Sequence, residues 1–571
     1  MVLKQGTFLW CIDRAFVQGL TPSLFLYKIS CFCLYLNVFK EEIMSNEKKL
    51  LHWADQTAEK IIRERGDLDV YTCASGITPS GTVHVGNFRE IISVDLVVRA
   101  LRSRGKNVRF IYSWDDYDVF RKVPANMPKP EVLEKYLRYP ITMVPDTFER
   151  DENYARHHEH DVEAVLPRVG IHPEYLYQAE RYQKGMYAEG MKKALDNRKE
   201  LKDILNTYRD ESHKITEEYW PVSVFCTACN KDTTKIESWD NDWTLKYSCE
   251  CGHCEALDLR KAKSVKLGWR VDWPMRWAFE KTVFEPAGKD HHSQGGSFDT
   301  ASLVSDRIYN WPAPVSFRYD FIGLKGVPGK MASSKGKVVS LAEVLEVYQP
   351  EVARYLFAGT RPNTEFVISF DLDVIKIYED YDKTERIAWK AEKAKNDETF
   401  EKEYRIYELS QIDGMPECIS YQIPFRHLCN LLQINSGDIE AVIKGLSDVK
   451  PAQVDRLRTR AECAWNWITD GGAPEEFKFA LRTDGSKAEL SEPETKAIKT
   501  IRDSLLPKMD EMDEKTFSTA LYDAAKECGL EPKQMFVAVY QALVSKDQGP
   551  RLAGFMKTIG KERLEKIFKD Y

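Results

Sequence analysis

Residues 70 to 114 read "VYTCASGITPSGTVHVGNFREIISVDLVVRALRSRGKNVRFIYSW", two apolar runs separated by a glycine-rich turn and an amphipathic stretch. The pattern predicts a strand from Val70 to Ser75, a helix from Asn87 to Arg104 that stops at Gly105, and a second strand from Val108 to Trp114. Strand, helix and strand in that order make a βαβ unit, which commits this part of the chain to a parallel sheet flanked by helices. In such sheets ligands sit at the carboxyl ends of the strands, where the loop 76–86 falls. Gly76, Gly81 and Gly86 let a ligand approach the backbone, the helix opening near Asn87 offers free N–H groups to an anion, and His84 adds a side-chain donor. On its own the loop reads more readily as a tight turn.

A second glycine-rich stretch follows a predicted strand from Val315 to Ile322. It reads "GLKGVPGKMASSKGKVVSLAEVLEVY" and carries Lys325, Lys330, Lys335 and Lys337. Ser340 and Glu343 form an S-x-x-E capping box, so a helix begins at Ser340 and the lysines lie just before it. A charge run of this kind is ordinarily a solvated loop.

The 571 residues, 43% of them hydrophobic, suffice for two to four domains. A formal charge of -7 excludes a globally cationic nucleic-acid binder and leaves room for a local basic face. Residues 1–43 contain "LFLYKISCFCLYLNVF", apolar but broken by Lys28 and too interrupted to span a bilayer. The expectation is an extension outside the native fold, translated upstream sequence rather than a membrane anchor. From Met44 the chain turns polar and enters an amphipathic helix with Leu50, Leu51, Ala54, Ala58, Ile61 and Ile62 on one face, ending at Gly66. Beyond residue 371 strand-like runs vanish; "TFSTALYDAAKECGL" places Phe517, Leu521, Ala524 and Cys528 at helical spacing.

Of 13 cysteines, five lie between Cys226 and Cys254 and the others are scattered singly, which fits a reducing, cytoplasmic compartment. "CTAC" at 226–229 and "CECGHC" at 249–254 have zinc-ribbon spacing, with Cys226, Cys229, Cys251 and Cys254 as the paired CxxC ligands of a structural Zn2+. Cys249 is a possible substitute for Cys251. CxxC pairs also serve as redox centres, though nothing around these resembles a thioredoxin.

"TPSGTVHVGN" and, some 250 residues later, "KMASSKG" resemble the paired signatures of class I aminoacyl-tRNA synthetases. "SWDDYDVFRKVP", "RVDWPMRWA", "FEPAGKDHHSQGGSFD" and "DLDVIKIYEDYDKTERI" narrow the resemblance to the class I lysyl-tRNA synthetases, from about residue 50 to the end. His84-Val85-Gly86-Asn87 departs from the name-giving motif at Val85 and Asn87. In the second motif Ala332 and Ser333 depart, and Lys335, two positions on, stands in for the second lysine.

The resemblance implies a Rossmann-like catalytic domain over 44–370 with a zinc-binding insertion at 219–262. An all-α anticodon-binding region over 371–571 would follow, with Gly549, Pro550 and Arg551 breaking its helices near the tip. It implies ATP-dependent attachment of L-lysine to tRNA(Lys) through a lysyl-adenylate, with Mg2+ on the triphosphate, transfer to the terminal 2′-hydroxyl, and a need for tRNA during activation. A monomer with no membrane association is expected. His84, Lys330 and Lys335 would stabilise the transferring phosphate and pyrophosphate. Gly76, Gly86, Asn87, Gly288, His291, Met331 and Ser334 would hold ATP.

Selecting lysine requires carboxylates and aromatic faces for its ammonium groups. Asp115, Asp116, Trp273, Trp277 and Asp290 are the candidates. The tryptophans serve as well in a core, and one of the paired aspartates could simply cap a turn. A glutamate enzyme of the same class would need cations where "WDDYD" is acidic. A non-catalytic tRNA-binding protein on this scaffold is expected to have lost His84 or both loop lysines, and all three are present.

Overall fold

The structure, a computed structural model, describes residues 51–327 and 338–571. Residues 1–43 and the predicted Lys330, Met331, Ser334 and Lys335 lie outside the described residues. Residues 54–571 form one compact unit.

Helix α1 (Trp53–Arg65) buries Ala54, Ala58 and Ile61, the expected apolar face. β1 (Tyr71–Ile77), α2 (Val85–Arg102) and β2 (Val108–Trp114) reproduce the βαβ unit, the helix starting two residues earlier than its apolar pattern suggests. α2 is buried nearly all round, from Phe88 through Leu101, because it is sandwiched between the sheet and the helices that follow. Each such aliphatic side chain contributes ~1.5–3 kcal/mol relative to exposure.

β3 (Glu174–Tyr177) leads into the short helix α3 (Gln178–Gln183). Next come β4 (Val222–Val224), the antiparallel hairpin strands β5 (Thr234–Trp239), β6 (Thr244–Cys249) and β7 (Cys254–Asp258), and β8 (Val265–Leu267), which pairs back on β4. α4 (Trp269–Glu280) and β9 (Thr282–Phe284) return the chain to the main sheet. That sheet has the order β3-β2-β1-β9, and every neighbouring pair is parallel. The chain steps outward from β1 to β3 and then restarts on the other side of β1, so a crevice opens at the carboxyl ends of β1 and β9.

The strand expected over 315–322 is broken. Val315 bridges Phe284, β10 (Ala287–Gly288) pairs with β11 (Arg318–Tyr319), and β12 (Ile322–Leu324) pairs with β13 (Phe366–Ile368). α5 (Leu341–Val347) opens on the predicted capping box: the Ser340 hydroxyl accepts from the Glu343 N–H, and the Ser340 N–H donates to the Glu343 carboxylate at 2.7 Å. From Asp373 onward the described elements are all helical. They include α6 (Phe425–Ile434), α7 (Val454–Thr469), α8 (Pro532–Val544) and α9 (Leu552–Ile559).

Charged side chains tie the helical part to the sheet. The wholly buried Arg354 donates to Asp95 of α2 at 2.7 Å and to the carbonyls of Val169 and Leu409. Asp55 of α1 is gripped by Arg104 and Arg405, each at 2.8 Å. Burial alone would raise the Asp55 pKa, and the two guanidiniums more than reverse that, holding it below its usual value. These contacts fix the sheet, and hence the crevice, against the segments that follow.

Candidate active site

A cleft of about 560 Å³ occupies the crevice at the strand ends. It brings together Gly76, His84, Gly86, Asn87, Asp115, Trp273, Trp277, Gly288, Asp290 and His291, ten of the residues singled out from the sequence. Gly76 is there for a steric reason: a Cβ at this position would stand 2.7 Å from the carbonyl oxygen of Ser113 on β2.

The loop from Ile77 to His84 is pinned at three points. Thr78 donates to Asp118 at 2.9 Å, Asn126 donates to the Thr82 hydroxyl at 3.0 Å, and Tyr154 donates to the Ser80 carbonyl at 3.1 Å. His84 is the N-cap residue of α2, and its backbone N–H donates to the Asn87 side chain at 3.2 Å. The next N–H, of Val85, donates to the Val339 carbonyl at 2.8 Å. The chain leaving the second glycine-rich stretch is thereby fastened to the first turn of α2, beside His84. An eighteen-residue helix opens on the cleft here, so its positive dipole end faces any anion bound in it.

The cleft is also lined by acidic residues. Glu90 of α2 accepts from the Tyr319 hydroxyl at 2.6 Å, the Ser75 hydroxyl at 2.8 Å and the Gly76 N–H at 3.2 Å, yet burial still leaves its pKa raised. Glu285 accepts from both indoles, Trp273 at 3.0 Å and Trp277 at 2.6 Å, and burial pushes its pKa up to about 7. Trp273 and Trp277 lie one turn apart on α4, so a single carboxylate can satisfy both ring N–H groups. Asp115 is bound by Arg276 at 2.6 Å, and Arg276 also pairs with the buried Asp272 at 3.1 Å. Of the six carboxylates among the described lining residues, Asp115 is paired with Arg276, Asp118 with Lys266 and Glu280 with Arg109 and Arg181, while Glu90 and Glu285 accept from neutral donors. The cleft suits a cation.

Because Arg276 is the buried partner of the buried Asp272 and also pairs with Asp115, Arg276→Ala is expected to lower stability by ~3 kcal/mol or more. The check is a drop in urea midpoint with an unchanged slope; a midpoint within error of wild type would contradict it.

Asp116 does not line the cleft. It is 4% exposed and turns inward, accepting the Ala179 N–H at the start of α3 at 2.8 Å, and burial raises its pKa to about 8. With Asp116 turned inward, Asp115 is the one of the pair that lines the cleft. Glu90, Glu285, Arg276 and Tyr319 went unread in the sequence. The one available signal was the Trp273/Trp277 pair, whose buried N–H groups require an acceptor, without saying which residue supplies it.

The cysteine cluster also differs from its spacing. The four thiols within 4.8 Å of one another are Cys226, Cys229, Cys249 and Cys251; Cys249 takes the place expected for Cys254. Sγ of Cys226 lies 3.7 Å from that of Cys251, and Cys229 lies 3.6 Å from Cys249. Those separations match the edge of a tetrahedron with metal–sulfur bonds of about 2.3 Å. The β6/β7 hairpin explains the exchange. Its register pairs Ser248 with Cys254, so these two share a face and Cys249 points to the other. A tight turn with the Gly252 N–H on the Cys249 carbonyl, and Gly252 at φ +90°, folds Cys251 back beside Cys249. Burial works against ionising Cys249, but the Cys251 N–H and the Thr233 hydroxyl bring its pKa down to about 7. The four-thiol set therefore fits a closed structural zinc site.

A family model described as "tRNA synthetases class I (K)" matches residues 51–413. The chain is 63% identical over 528 residues to a lysine–tRNA ligase of Treponema pallidum (strain Nichols), covering 92% of this chain and all of that protein. It is 52% identical over 526 residues to a lysine–tRNA ligase of Borreliella burgdorferi, again over 92% of this chain and all of the relative. A lysine–tRNA ligase of Thermococcus kodakarensis is 40% identical over 528 residues, 90% of this chain and 98% of its own length.

Proposed function

The chain belongs to the class I lysine-type tRNA synthetase family, and from that premise we propose that it activates L-lysine with ATP and transfers it to tRNA(Lys) in the cleft described above. The observation that carries the lysine assignment is the cleft's charge. Glu90 and Glu285 line it beside the indole faces and accept from hydroxyl, backbone and indole donors rather than from a cation.

In the first step a carboxylate oxygen of lysine bonds to the α-phosphorus of ATP and the bond to pyrophosphate breaks, so negative charge grows on phosphoryl oxygens. No strong base is needed; positioning and fixed positive charge do the work. His84, Asn87 and the N–H groups of α2 stabilise the transferring phosphate, while Gly76, Gly86, Gly288 and His291 border the nucleotide. Lys330 and Lys335, with Met331 and Ser334, belong to the loop that would meet the pyrophosphate. Magnesium accompanies the triphosphate. In the second step the 2′-hydroxyl of the terminal ribose bonds to the lysyl carbonyl carbon, the bond to phosphate breaks, and AMP leaves carrying the proton. Glu90 and Glu285 are the carboxylates for the substrate's ammonium groups, with Asp115, Asp290, Trp273 and Trp277 around them. Cys226, Cys229, Cys249 and Cys251 hold a structural zinc, which supplies no step of the reaction.

A glutamate substrate is disfavoured because its side-chain carboxylate would enter an acidic pocket lacking a free cation among the described lining residues. The full-length protein should catalyse ATP–pyrophosphate exchange with lysine when total tRNA is present. Exchange with a different amino acid would overturn the pocket assignment; none with any amino acid, in folded and zinc-loaded protein, would overturn the catalytic reading.

A pH profile tests Glu285 separately. Its raised pKa means that the free cleft holds a neutral acid below about pH 7 and a carboxylate above it. Only the carboxylate attracts an ammonium group, so kcat/KM for lysine should fall as pH drops through about 7, carried mainly by KM. Glu285→Gln should raise the KM for lysine and flatten that limb; a limb that survives the substitution would assign it elsewhere.

A further inference from the structure

β8 is buried along its whole length, yet its middle residue is a lysine. Val265 and Leu267 belong to the apolar core that holds the cysteines, and Lys266, on the opposite face of the strand, is only 7% exposed. A buried ammonium group is costly unless it is paired, and an apolar residue would serve the packing as well. The pairing here is specific. Nζ of Lys266 donates to the Tyr117 carbonyl at 3.1 Å and to one carboxylate oxygen of Asp118 at 2.5 Å. The other oxygen of Asp118 accepts the Thr78 hydroxyl at 2.9 Å. Burial would raise the Asp118 pKa, and Lys266 with the Thr78 hydroxyl more than reverses that, so the pair is ionic.

These contacts run from the cysteine-bearing insertion to the cleft. β4 and β8, paired at Ser223 and Lys266, form the base of the insertion, and Cys226 follows just after β4. Tyr117 is anchored at the same base: its hydroxyl donates to the Lys263 carbonyl and its ring packs on Phe225 at 5.2 Å. A second cavity, about 480 Å³, is lined by residues of this base and of the loop 77–84. Thr78, Asp118 and Trp269 line both this cavity and the cleft, and so form the partition between them. Among the described residues Lys266 lines the second cavity and not the cleft, which places it to hold the partition from behind. Thr78 is one of the three pins of the loop that ends at His84, and its acceptor, Asp118, is itself held by a buried cation.

We propose that Lys266 is a positioning residue: through Asp118 and Thr78 it fixes the loop that presents His84 and the amino end of α2 to the transferring phosphate. The inference rests on the lysine-activating reaction proposed above and adds a residue to it. Hydrogen bonds between charged partners are shorter and stronger than neutral ones, so this pair sets the place of Asp118 more firmly than a neutral contact would. The backbone carries that placement into the loop. The Asp115 N–H donates to the Ile77 carbonyl at 2.9 Å and the Ile141 N–H donates to the Asp118 carbonyl at 2.9 Å, so the segment 115–118 and the start of the loop are held together. Displacing a reacting group by about 1 Å can cost 10²-fold in rate, which gives a residue outside the cleft leverage over the chemistry.

The test uses the full-length, zinc-loaded protein. Lys266→Met removes the ammonium group, leaves the Asp118 carboxylate unpaired and should lower the thermal midpoint. Adding Asp118→Asn removes the second charge and leaves an amide oxygen for Thr78, so the midpoint of the double variant should return toward wild type with zinc near one equivalent. Its kcat for ATP–pyrophosphate exchange should nevertheless stay about 10- to 10²-fold low while the KM for lysine holds, a split that a purely stabilising pair would not produce. Adding Thr78→Val to Lys266→Met should lower kcat by less than about twofold more, because both substitutions cut one chain of contacts. Hydrogen exchange reads the loop without catalysis: amides of 77–84 should exchange about 10-fold faster in the Lys266→Met, Asp118→Asn variant, and those around the thiols at the wild-type rate. Wild-type kcat in that double variant, or wild-type exchange over 77–84, would overturn the proposal. If the wild-type protein activates no amino acid, the catalytic reading fails, and hydrogen exchange still decides whether Lys266 sets the loop.

Discussion

In ATP–pyrophosphate exchange with lysine and tRNA present, His84→Ala should run about 10² to 10³ times slower than wild type, a loss of ~2.7–4 kcal/mol in the transition state. The expectation follows from where the residue stands. His84 is 7% exposed, borders the cleft, and caps the helix whose amino end faces the proposed phosphate site. A donor fixed there meets charge that develops only as pyrophosphate leaves, so kcat should fall and the KM for lysine should hold. His84→Asn separates catalysis from capping: asparagine is a good N-cap residue, so the helix start should survive while the donor's reach is lost. Lys330→Ala should slow the reaction by a similar factor. In the proposed mechanism both groups act on one triphosphate in a single step, so the double variant should lose less than the product of the single losses. Exchange by His84→Ala within about threefold of wild type, in protein of unchanged thermal midpoint, would remove His84 from the mechanism.

How much of this could be read in advance depended on whether the signal was local. The βαβ unit was legible because apolar period, glycine punctuation and caps all lie within 45 residues of one another, and its second strand begins and ends where expected. Ser340 and Glu343 are likewise a local pair, and the capping box forms as predicted. The acidic wall of the cleft was not legible. Glu285 is defined by two indoles on α4, Glu90 by Tyr319, and Arg276 by Asp115, pairings that arise only when the chain closes on itself. Asp116 was misread for the complementary reason: two adjacent acidic residues look alike in sequence, and the direction of each side chain is settled by the helix that follows β3. Spacing set the cysteine expectation too. CxxC counts residues, whereas the turn at Gly252 and the Ser248–Cys254 register decide which sulfurs converge.

That last difference gives the other large effect. Cys249→Ser should leave the protein without zinc after dialysis against a chelator, whereas Cys254→Ser should retain about one equivalent, since a closed site needs four ligands and Cys254 is not among the convergent thiols. Structural zinc contributes apparent binding free energies of about 10–16 kcal/mol in zinc-finger peptides at pH 7, so losing a ligand should unfold the insertion rather than loosen it. The damage should reach the cleft. The apolar core that holds Cys226, Cys249, Leu245 and Tyr247 also contains Val271 and Met275, which lie on α4, the helix that carries Trp273, Arg276 and Trp277. Without the insertion's side of that core, α4 loses the packing that aims Trp273, Arg276 and Trp277. Lysine-dependent exchange should therefore fall with zinc content in Cys249→Ser and stay near wild type in Cys254→Ser. The reverse pattern, zinc retained in Cys249→Ser and lost in Cys254→Ser, would restore the ligand set that spacing alone suggests.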